Sequence, residues 1–435
     1  MRIVQIILLL INCFLPHLDI GLSVSSSVAF WSYIIIICLE VAQKKRITML
    51  ILFLSAFVYM VLSEGVLNEN YLYELWGRYY TTIGYSYLIT SSTCVFLGCK
   101  FYETYVKKTN KLSSKELKTI IHKKNTLLLI LTTYSLFFFI INIENTIYGF
   151  TIGRASAFPF LISPFLYAVA FICVGLYNEV FSNKIYTILM CLPIIITFIG
   201  TGTRFFLVYI IFILYFKDLY FLNYKRIFKL FFLGFFLLSA LNVMKLARSG
   251  GLSNLNESKN TKEHNLTEYL ASKGSNEGLI SNAAMITKYT TENDYTYGKS
   301  TSFLTIFWIP RDIWPNKPVQ LDSWLIRKYM NVSEGFSSAS SYGGEIYIDF
   351  GYSIGCILLL ILGYNLSRIQ NWIHNNYKTD LKKLILSGFL YGWIFFGTRS
   401  IMTSTFMLIY MLIMSNVIFK ILIKFKIVAL KPIDE

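Results

Sequence analysis

Charged residues are scarce in this chain: Asp, Glu, Lys and Arg make up 15% of its 435 residues. A soluble domain carries about 25%, so this deficit excludes an ordinary globular protein. Disorder is excluded as well, because 55% of the residues are hydrophobic and 17% are aromatic. Since one spanning helix needs about 20 apolar residues, the composition predicts a polytopic membrane protein.

The cysteine pattern and the distribution of positive charge exclude further kinds of site. The seven cysteines all fall in apolar segments and no pair has CxxC spacing, which indicates neither a disulfide framework nor a zinc site. We therefore expect no metal and no other cofactor. The net charge is +16, yet most of it lies in short Lys-rich stretches between apolar runs. That distribution is typical of membrane topology, and no nucleic-acid partner is expected.

Apolar segments predict an all-α polytopic fold of about 12 transmembrane helices. The segments are 3–20, 25–42, 47–63, 80–100, 125–147, 157–178, 185–200, 204–220, 227–247, 346–366, 384–398 and 401–420. The 98 residues of 248–345 form the sizeable polar region, in which 279–290 and 320–330 have amphipathic helical patterns. We expect an N-terminal transmembrane bundle of about nine helices at 1–247, a large loop at 248–345 with short amphipathic helices, and about three C-terminal helices with a tail at 346–435.

The distribution of lysine and arginine predicts the orientation of these helices. Segments on one side of the membrane hold 25 Lys and Arg residues, whereas the short loops on the other side hold four. Because positively charged loops stay in the cytoplasm, both termini and the lysine-rich segment 101–124 are expected there, with 248–345 outside. The four outward arginines are Arg78, Arg154, Arg204 and Arg399.

Two of the outward arginines occur in the same tripeptide, Gly-Thr-Arg at 202–204 and at 397–399, each between two closely spaced helices. A guanidinium group offers a rigid fork of donors that fits a phosphate, and glycine lets a ligand approach the backbone. At the level of lipid headgroups such arginines suit a lipid-linked pyrophosphate. Snorkelling of an interfacial arginine to ordinary headgroups accounts for the same position.

Two stretches of the large loop carry further candidate residues. The first, 310–318, reads PRDIWPNKP, where three prolines fix the backbone and Arg311, Trp314 and Lys317 offer charge and a face for sugar stacking. The second, 337–351, runs from a Ser-rich stretch through two glycines into the start of a helix. Glu345 stands at the outer end of that helix. A carboxylate there is either a favourable charge at a helix N-terminus or a general base for a sugar hydroxyl.

These two stretches together resemble the oligosaccharide repeat-unit polymerases, the Wzy-type O-antigen polymerases of bacterial inner membranes. The shared features are R-D-x-W-P-x-K-P at 311–318 and, after a gap of 24 residues, G-G-E-x-Y-x-D-F-G at 343–351. The predicted topology agrees with this resemblance, which implies a GT-C-like fold with one large periplasmic loop.

The resemblance implies a glycosyltransferase whose two substrates are both linked to undecaprenyl pyrophosphate. Such an enzyme transfers the growing glycan to a new lipid-linked repeat unit without a metal, and periplasmic arginines stabilise the leaving pyrophosphate. The residues implied as catalytic are Arg311, Glu345 and Asp312, and those implied as substrate-binding are Arg204, Arg399, Arg78, Arg154, Trp314, Lys317 and Tyr347. The implied partners are the lipid-linked oligosaccharide, membrane lipid and a chain-length regulator protein.

Two other functions fit parts of the sequence. An O-antigen ligase shares the fold but needs a histidine near loop arginines, and His264 in the large loop lies far from 310–318 in sequence. A flippase of lipid-linked oligosaccharides is expected to carry ionisable residues at mid-helix, whereas Glu40, Glu144, Lys245 and Asp349 lie near helix ends. The sequence therefore ranks the polymerase first, the ligase second and the flippase third.

Overall fold

The computed structural model describes residues 2–18, 20–106, 117–144, 146–147, 163–181, 183–200, 205–222, 278–306, 314, 316, 321–330, 340–377 and 380–432. The helices before the large loop are α1 (Arg2–Phe14), α2 (Leu22–Lys44), α3 (Met49–Phe57), α4 (Ser63–Leu67), α5 (Glu69–Trp76), α6 (Arg78–Tyr105), α7 (Lys124–Ile141), α8 (Ser163–Val180), α9 (Lys184–Gly200) and α10 (Phe205–Tyr220). The later helices are α11 (Leu279–Glu292), α12 (Lys299–Ile306), α13 (Leu321–Met330), α14 (Tyr342–Asn376), α15 (Leu381–Gly397) and α16 (Ile401–Lys424). The strands are β1 (Leu117–Ile121) and β2 (Val428–Pro432).

Helices occupy eleven of the twelve predicted apolar segments, and the remaining one, 227–247, lies outside the described residues. Both amphipathic patterns of the large loop also form helices, α11 and α13, as predicted. Among the described helices, five are long and apolar enough to cross a membrane: Leu22–Lys44, Met49–Leu67, Lys124–Ile141, Tyr342–Asn376 and Ser404–Lys424. The chain is thus a helical membrane protein, while the number of spans stays a prediction.

The chain divides into two compact units that alternate along the sequence. The first unit comprises Met1–Lys111, His264–Asn371 and Ile394–Thr405, and the second comprises Leu112–Glu263, Trp372–Trp393 and Phe406–Glu435. This division concerns packing, whereas the expected parts 1–247, 248–345 and 346–435 concern membrane topology. Those three parts stay a prediction.

In the first unit, α6 and α14 pack backbone against backbone. A Cβ atom on Gly98 would lie 2.0 Å from the carbonyl oxygen of Leu360, and one on Gly363 would lie 2.0 Å from that of Val95. Cys99 Sγ donates to the carbonyl oxygen of Gly363 at 3.0 Å. Small residues at a crossing let helices approach closely in lipid, where packing and hydrogen bonds hold helices together.

Helix α11 belongs to the large polar loop in sequence but is buried in the first unit. A Cβ atom on Gly84 of α6 would lie 2.6 Å from the backbone carbon of Ala283. Trp76 Nε1 donates to Ser281 Oγ at 2.8 Å. Because seven of the eight residues from 279 to 286 are buried, this helix fixes the middle of the large loop against α5 and α6.

Helix α14 is broken at Gly351, whose backbone has φ 72° and ψ −173°. This region is essentially restricted to glycine, and another residue would be strained by about 1–3 kcal/mol. A Cβ atom here would also lie 2.8 Å from the ring of Tyr295. Residues 342–350 therefore form a short helical segment of their own, a feature that the sequence pattern did not predict.

The second unit contains the sheet, in which β1 pairs antiparallel with β2 from Leu117↔Pro432 to Ile121↔Val428. Its helices meet in an aromatic core of Phe171, Phe198, Phe206, Tyr209 and Phe389. The sheet was not predicted, because two strands of five residues at distant positions leave no joint signal in the sequence.

Candidate functional site

The carboxylate of Glu345 joins the start of α14 to the turn between α15 and α16. Ser340 Oγ and Ser400 Oγ donate to Glu345 Oε1 at 2.8 and 2.5 Å, and the backbone N–H of Ile401 donates to Oε2 at 3.0 Å. Glu345 is 1% exposed. Both oxygens therefore accept hydrogen bonds, and the charge lies at the N-terminus of α16, where unpaired N–H groups and the helix dipole favour it.

The main chain reinforces this junction. The backbone N–H of Ser341 donates to the carbonyl oxygen of Arg399 at 2.8 Å, and that of Tyr342 donates to Thr398 at 3.4 Å. Both partners belong to the Gly-Thr-Arg turn at 397–399. Two motifs that are separate in the sequence, the Glu345 segment and this turn, are thus held together by side-chain and backbone hydrogen bonds.

Arg399 is half-buried, and its guanidinium carbon lies 5.9 Å from the centre of the Phe396 ring. Its backbone N–H donates to the carbonyl oxygen of Phe396 at 2.9 Å. A Cβ atom on Gly397 would lie 3.2 Å from Ser404 Oγ, so the turn leaves little room for a larger residue. The turn therefore fixes the position of the Arg399 backbone.

Asp349 makes a second junction one helical turn after Glu345. It is 0% exposed and accepts from the backbone N–H groups of Ser300 at 3.1 Å and Thr301 at 2.7 Å, at the start of α12. The hydroxyls of Thr296, Ser300 and Thr301 also donate to it. Asp349 therefore anchors α12, a role that its position near a helix end in the sequence did not indicate.

Two more carboxylates bind the N-termini of other helices in the first unit. Glu64 accepts from the backbone N–H groups of Ile280 at 2.8 Å and Ser281 at 3.3 Å, at the start of α11. Glu69 accepts from Leu22 at 2.7 Å and from Ser23 at 3.2 Å, at the start of α2. Sequence reasoning missed these residues, since a carboxylate that caps a remote helix has no local pattern like that of an N-cap.

Arg78 borders a polar cavity of about 260 Å³ that lies near the end of α1, the starts of α2 and α6, and α5. His17, Tyr73 and Tyr85 line the same cavity. His17 Nε2 hydrogen bonds to Ser86 Oγ at 2.9 Å. The cavity thus gathers a guanidinium, an imidazole and two phenol groups, which are groups that can bind an anionic or sugar ligand.

The helices of the large loop meet in a cluster of aromatic and basic side chains. Tyr289 of α11 contacts Trp324 of α13 with ring centres 5.2 Å apart, and Lys328 Nζ lies 4.6 Å from the centre of the Tyr289 ring. Tyr329 donates to Glu292 Oε2 at 2.7 Å. Burial and this acceptor raise the pKa of Tyr329 well above its ordinary value. The cluster holds α13, the helix that follows the 310–318 motif, against α11.

Of the other predicted site residues, Tyr347 and Trp314 lie within the described part of the chain. Tyr347 is 7% exposed and stacks on Tyr87 with ring centres 4.4 Å apart, whereas Trp314 is 37% exposed. Outside the described residues lie Arg154, Arg204, Arg311, Asp312 and Lys317. Within the described part of the chain, no three His, Cys, Asp or Glu side chains are grouped as metal ligands.

A family model described as O-antigen polysaccharide polymerase Wzy matches residues 1–431. Neither a curated protein nor a solved structure matches the chain significantly. The family match covers both motif stretches and all candidate residues described above.

Proposed function

The chain belongs to the Wzy family of O-antigen polysaccharide polymerases, and we propose that it transfers a growing glycan from undecaprenyl pyrophosphate to a new lipid-linked repeat unit at the periplasmic face of the inner membrane. The observation that carries this proposal is the junction between Glu345 and the Gly-Thr-Arg turn at 397–399. A polymerase must hold an anionic carrier where the acceptor arrives. The junction supports this function because it fixes the turn that carries Arg399 against Glu345, where the large loop ends.

In this proposal Arg399 binds the pyrophosphate of the glycan donor. When the bond between the sugar and the pyrophosphate breaks, negative charge develops on the leaving group, and a guanidinium fork stabilises it with two parallel hydrogen bonds. Donors whose backbone is already fixed need no reorganisation as the charge develops. Arg311 in the loop motif is proposed to add to this anion site, and Arg204 in the other Gly-Thr-Arg sequence is proposed to bind a phosphate of the lipid-linked substrates.

We assign Glu345 a positioning role at this site. Its carboxylate is buried and engaged by three donors, whereas a general base must reach the hydroxyl proton that it removes. By holding Ser400 and the start of α16, Glu345 fixes the orientation of the neighbouring Arg399. Asp312, next to Arg311, is then the proposed group that activates the acceptor hydroxyl.

The remaining substrate-binding residues are proposed to contact the carrier and the glycan at more distant points. Arg78, with its polar cavity, and Arg154 are assigned to anionic or sugar groups of the substrates. Trp314 offers an exposed ring for sugar stacking, and Lys317 lies three residues further along the same motif. Tyr347 supports the site through its stack on Tyr87, because so little of its ring is exposed.

Contacts among the described residues support the predicted orientation, since each joins two segments expected on the same side of the membrane. On the outer side, Glu69 binds the start of α2 and Glu64 binds the start of α11. On the cytoplasmic side, β1 pairs with β2, and Lys44 forms an ion pair with Glu103 at 2.8 Å. We therefore retain both termini in the cytoplasm, about 12 spanning helices and a periplasmic loop at 248–345 as parts of the proposal.

The experiment that tests the proposed function is the lipopolysaccharide pattern of a deletion strain that carries either the wild-type gene or an empty vector. Loss of a polymerase leaves a single repeat unit on the lipid A core, and the wild-type gene should restore the ladder of longer chains. Complete loss of O antigen from the core would instead identify a ligase. A chain-length regulator acting with this protein would appear as a change in the modal chain length when that regulator is deleted.

A further inference from the structure

A cleft in the second unit has the dimensions and lining of a lipid-binding site. It lies between α7, α8 and α16 and has a volume of about 490 Å³. Its walls are mainly aliphatic and include Leu127, Leu131, Ile172, Leu176, Ile421 and Leu422. The phenol of Tyr134, which also lines the cleft, donates to the carbonyl oxygen of Leu166 at 2.6 Å. The walls therefore suit a hydrocarbon chain and not a sugar.

One end of the cleft is strongly basic. Lys123 lines the cleft itself. The two chain segments that form this end, 117–131 and 414–432, contain seven lysines and no Asp or Glu, and three acidic residues lie close beyond them in the sequence at 116, 434 and 435. Glu179, near the end of α8, forms an ion pair with Lys217 at 2.9 Å, so its charge is already balanced. A net positive field at this end thus faces whatever occupies the cleft.

The sheet fixes the basic end in place. The backbone N–H of Lys123 donates to the carbonyl oxygen of Ile427 at 3.3 Å, and that of Ile427 donates to Leu422 at 2.9 Å. Lys123 thereby keeps its position beside the apolar walls instead of moving with a loop. An apolar cleft and a lysine are held together as parts of one site.

We propose that this cleft binds one anionic phospholipid of the cytoplasmic leaflet, with an acyl chain between α7, α8 and α16 and the phosphate at Lys123. The positive-inside distribution assigns Lys123 to the cytoplasmic side. Basic pockets between spanning helices on that side bind anionic headgroups. A zwitterionic phospholipid offers the same chains without net charge, so the lysines favour the anionic lipid. The site lies on the membrane side opposite the proposed glycan transfer, so its occupant is not the substrate.

The test is binding of phosphatidylglycerol to the purified full-length protein in detergent, measured by native mass spectrometry. Phosphatidylethanolamine and water-soluble glycerol phosphate serve as the other two ligands. Lys123→Ala is paired with Lys124→Ala, which removes the adjacent charge. Ile130→Trp, on the 44% exposed residue that lines the cleft, is paired with Leu129→Trp on a 68% exposed neighbour. Far-ultraviolet circular dichroism checks that each variant is folded.

We expect phosphatidylglycerol to bind in one copy and more tightly than phosphatidylethanolamine. Lys123→Ala should weaken it about fivefold, since one lysine near an anionic headgroup contributes on that order, and Ile130→Trp should reduce occupancy while both controls bind normally. Equal binding of the two lipids, or equal effects of Lys123→Ala and Lys124→Ala, would overturn the headgroup assignment. Normal binding of phosphatidylglycerol to Ile130→Trp would show that the cleft does not hold an acyl chain. Binding of glycerol phosphate as tight as that of the lipid would show the same.

Discussion

Substitution of Glu345 separates a positioning carboxylate from a general base, because glutamine and alanine change its three hydrogen bonds differently. In Glu345→Gln the amide oxygen can accept from the Ile401 N–H, and the amide NH₂ can donate to the hydroxyls of Ser340 and Ser400, which rotate to accept. The junction keeps its bonds and loses its negative charge. In Glu345→Ala all three donors lose their acceptor inside a buried site.

The two substitutions should differ in magnitude. Glutamine gives up the charge at the N-terminus of α16, which costs about 1 kcal/mol, or about a fivefold change in any property that depends on the junction. Alanine removes the carboxylate acceptor of all three donors. Since each buried unsatisfied donor costs about 1–3 kcal/mol, the junction should lose at least about 3 kcal/mol, a change of more than about 100-fold.

The assay uses purified protein and a lipid-linked repeat unit, with the rate of chain extension and the thermal unfolding of each variant measured side by side. Glu345→Gln should retain at least about a fifth of the wild-type rate with an unchanged pH profile, whereas Glu345→Ala should unfold at a lower temperature and lose most activity. Asp294→Asn, which alters an exposed carboxylate of the large loop, is the matched control and should leave the rate unchanged.

Two results would refute the positioning role. A Glu345→Gln protein that is as stable as the wild type but slower by roughly 10²–10⁴-fold would identify a proton-transfer group. A Glu345→Ala protein with normal stability and a normal rate would mean that the junction does not hold the Gly-Thr-Arg turn. The pH profile separates these cases from a general loss of folding, because only the loss of a catalytic base removes a titration from the rate.

Three other predictions concern the orientation, the arginines and the break in α14. Reporter fusions at Lys111 and Asn256 should report opposite sides of the membrane, as the 25-to-4 asymmetry of Lys and Arg requires, and the same side for both would contradict the topology. Arg399→Lys and Arg204→Lys should each slow polymerisation at least about tenfold, because lysine lacks the planar fork; full glycan ladders at normal protein levels would exclude bidentate binding. Gly351→Ala should destabilise the protein by about 1–3 kcal/mol, and an unchanged unfolding temperature would show that the break is not strained.

Helix positions could be predicted from the sequence because the membrane imposes a length and a composition on each span. The segment 25–42 was long and apolar enough to indicate α2, which extends a few residues beyond it at each end. The helices of the large loop were also predictable, since 279–290 carries a helical pattern of apolar residues. The burial of α11 was not, because Gly84, which lets it approach α6, reads in sequence as one small residue among others.

The candidate site was predictable in its residue types but not in its connections. Gly-Thr-Arg at 397–399 and Glu345 could each be identified as candidates, since arginine and glutamate at an outer helix end suit anion binding and proton transfer. The hydrogen bonds that join them depend on two serines, Ser340 and Ser400, whose type and position carry no distinctive signal. Helix dipoles and unpaired N–H groups attract remote carboxylates, and such partners become visible only when the chain is folded.

The spacing of the two acids in G-G-E-x-Y-x-D-F-G is explained by the hydrogen bonds of Glu345 and Asp349. Glu345 and Asp349 lie four residues apart, and therefore on one face of the short helical segment 342–350. One carboxylate binds the N-terminus of α16 and the other binds that of α12, so this segment holds the Gly-Thr-Arg turn and the large loop in a defined relation. Gly351 ends the segment with a backbone conformation that other residues resist. A shift of either acid by one residue would rotate its side chain about 100° around the helix. One of the two junctions would then be lost. Both junctions therefore require the two acids at this spacing.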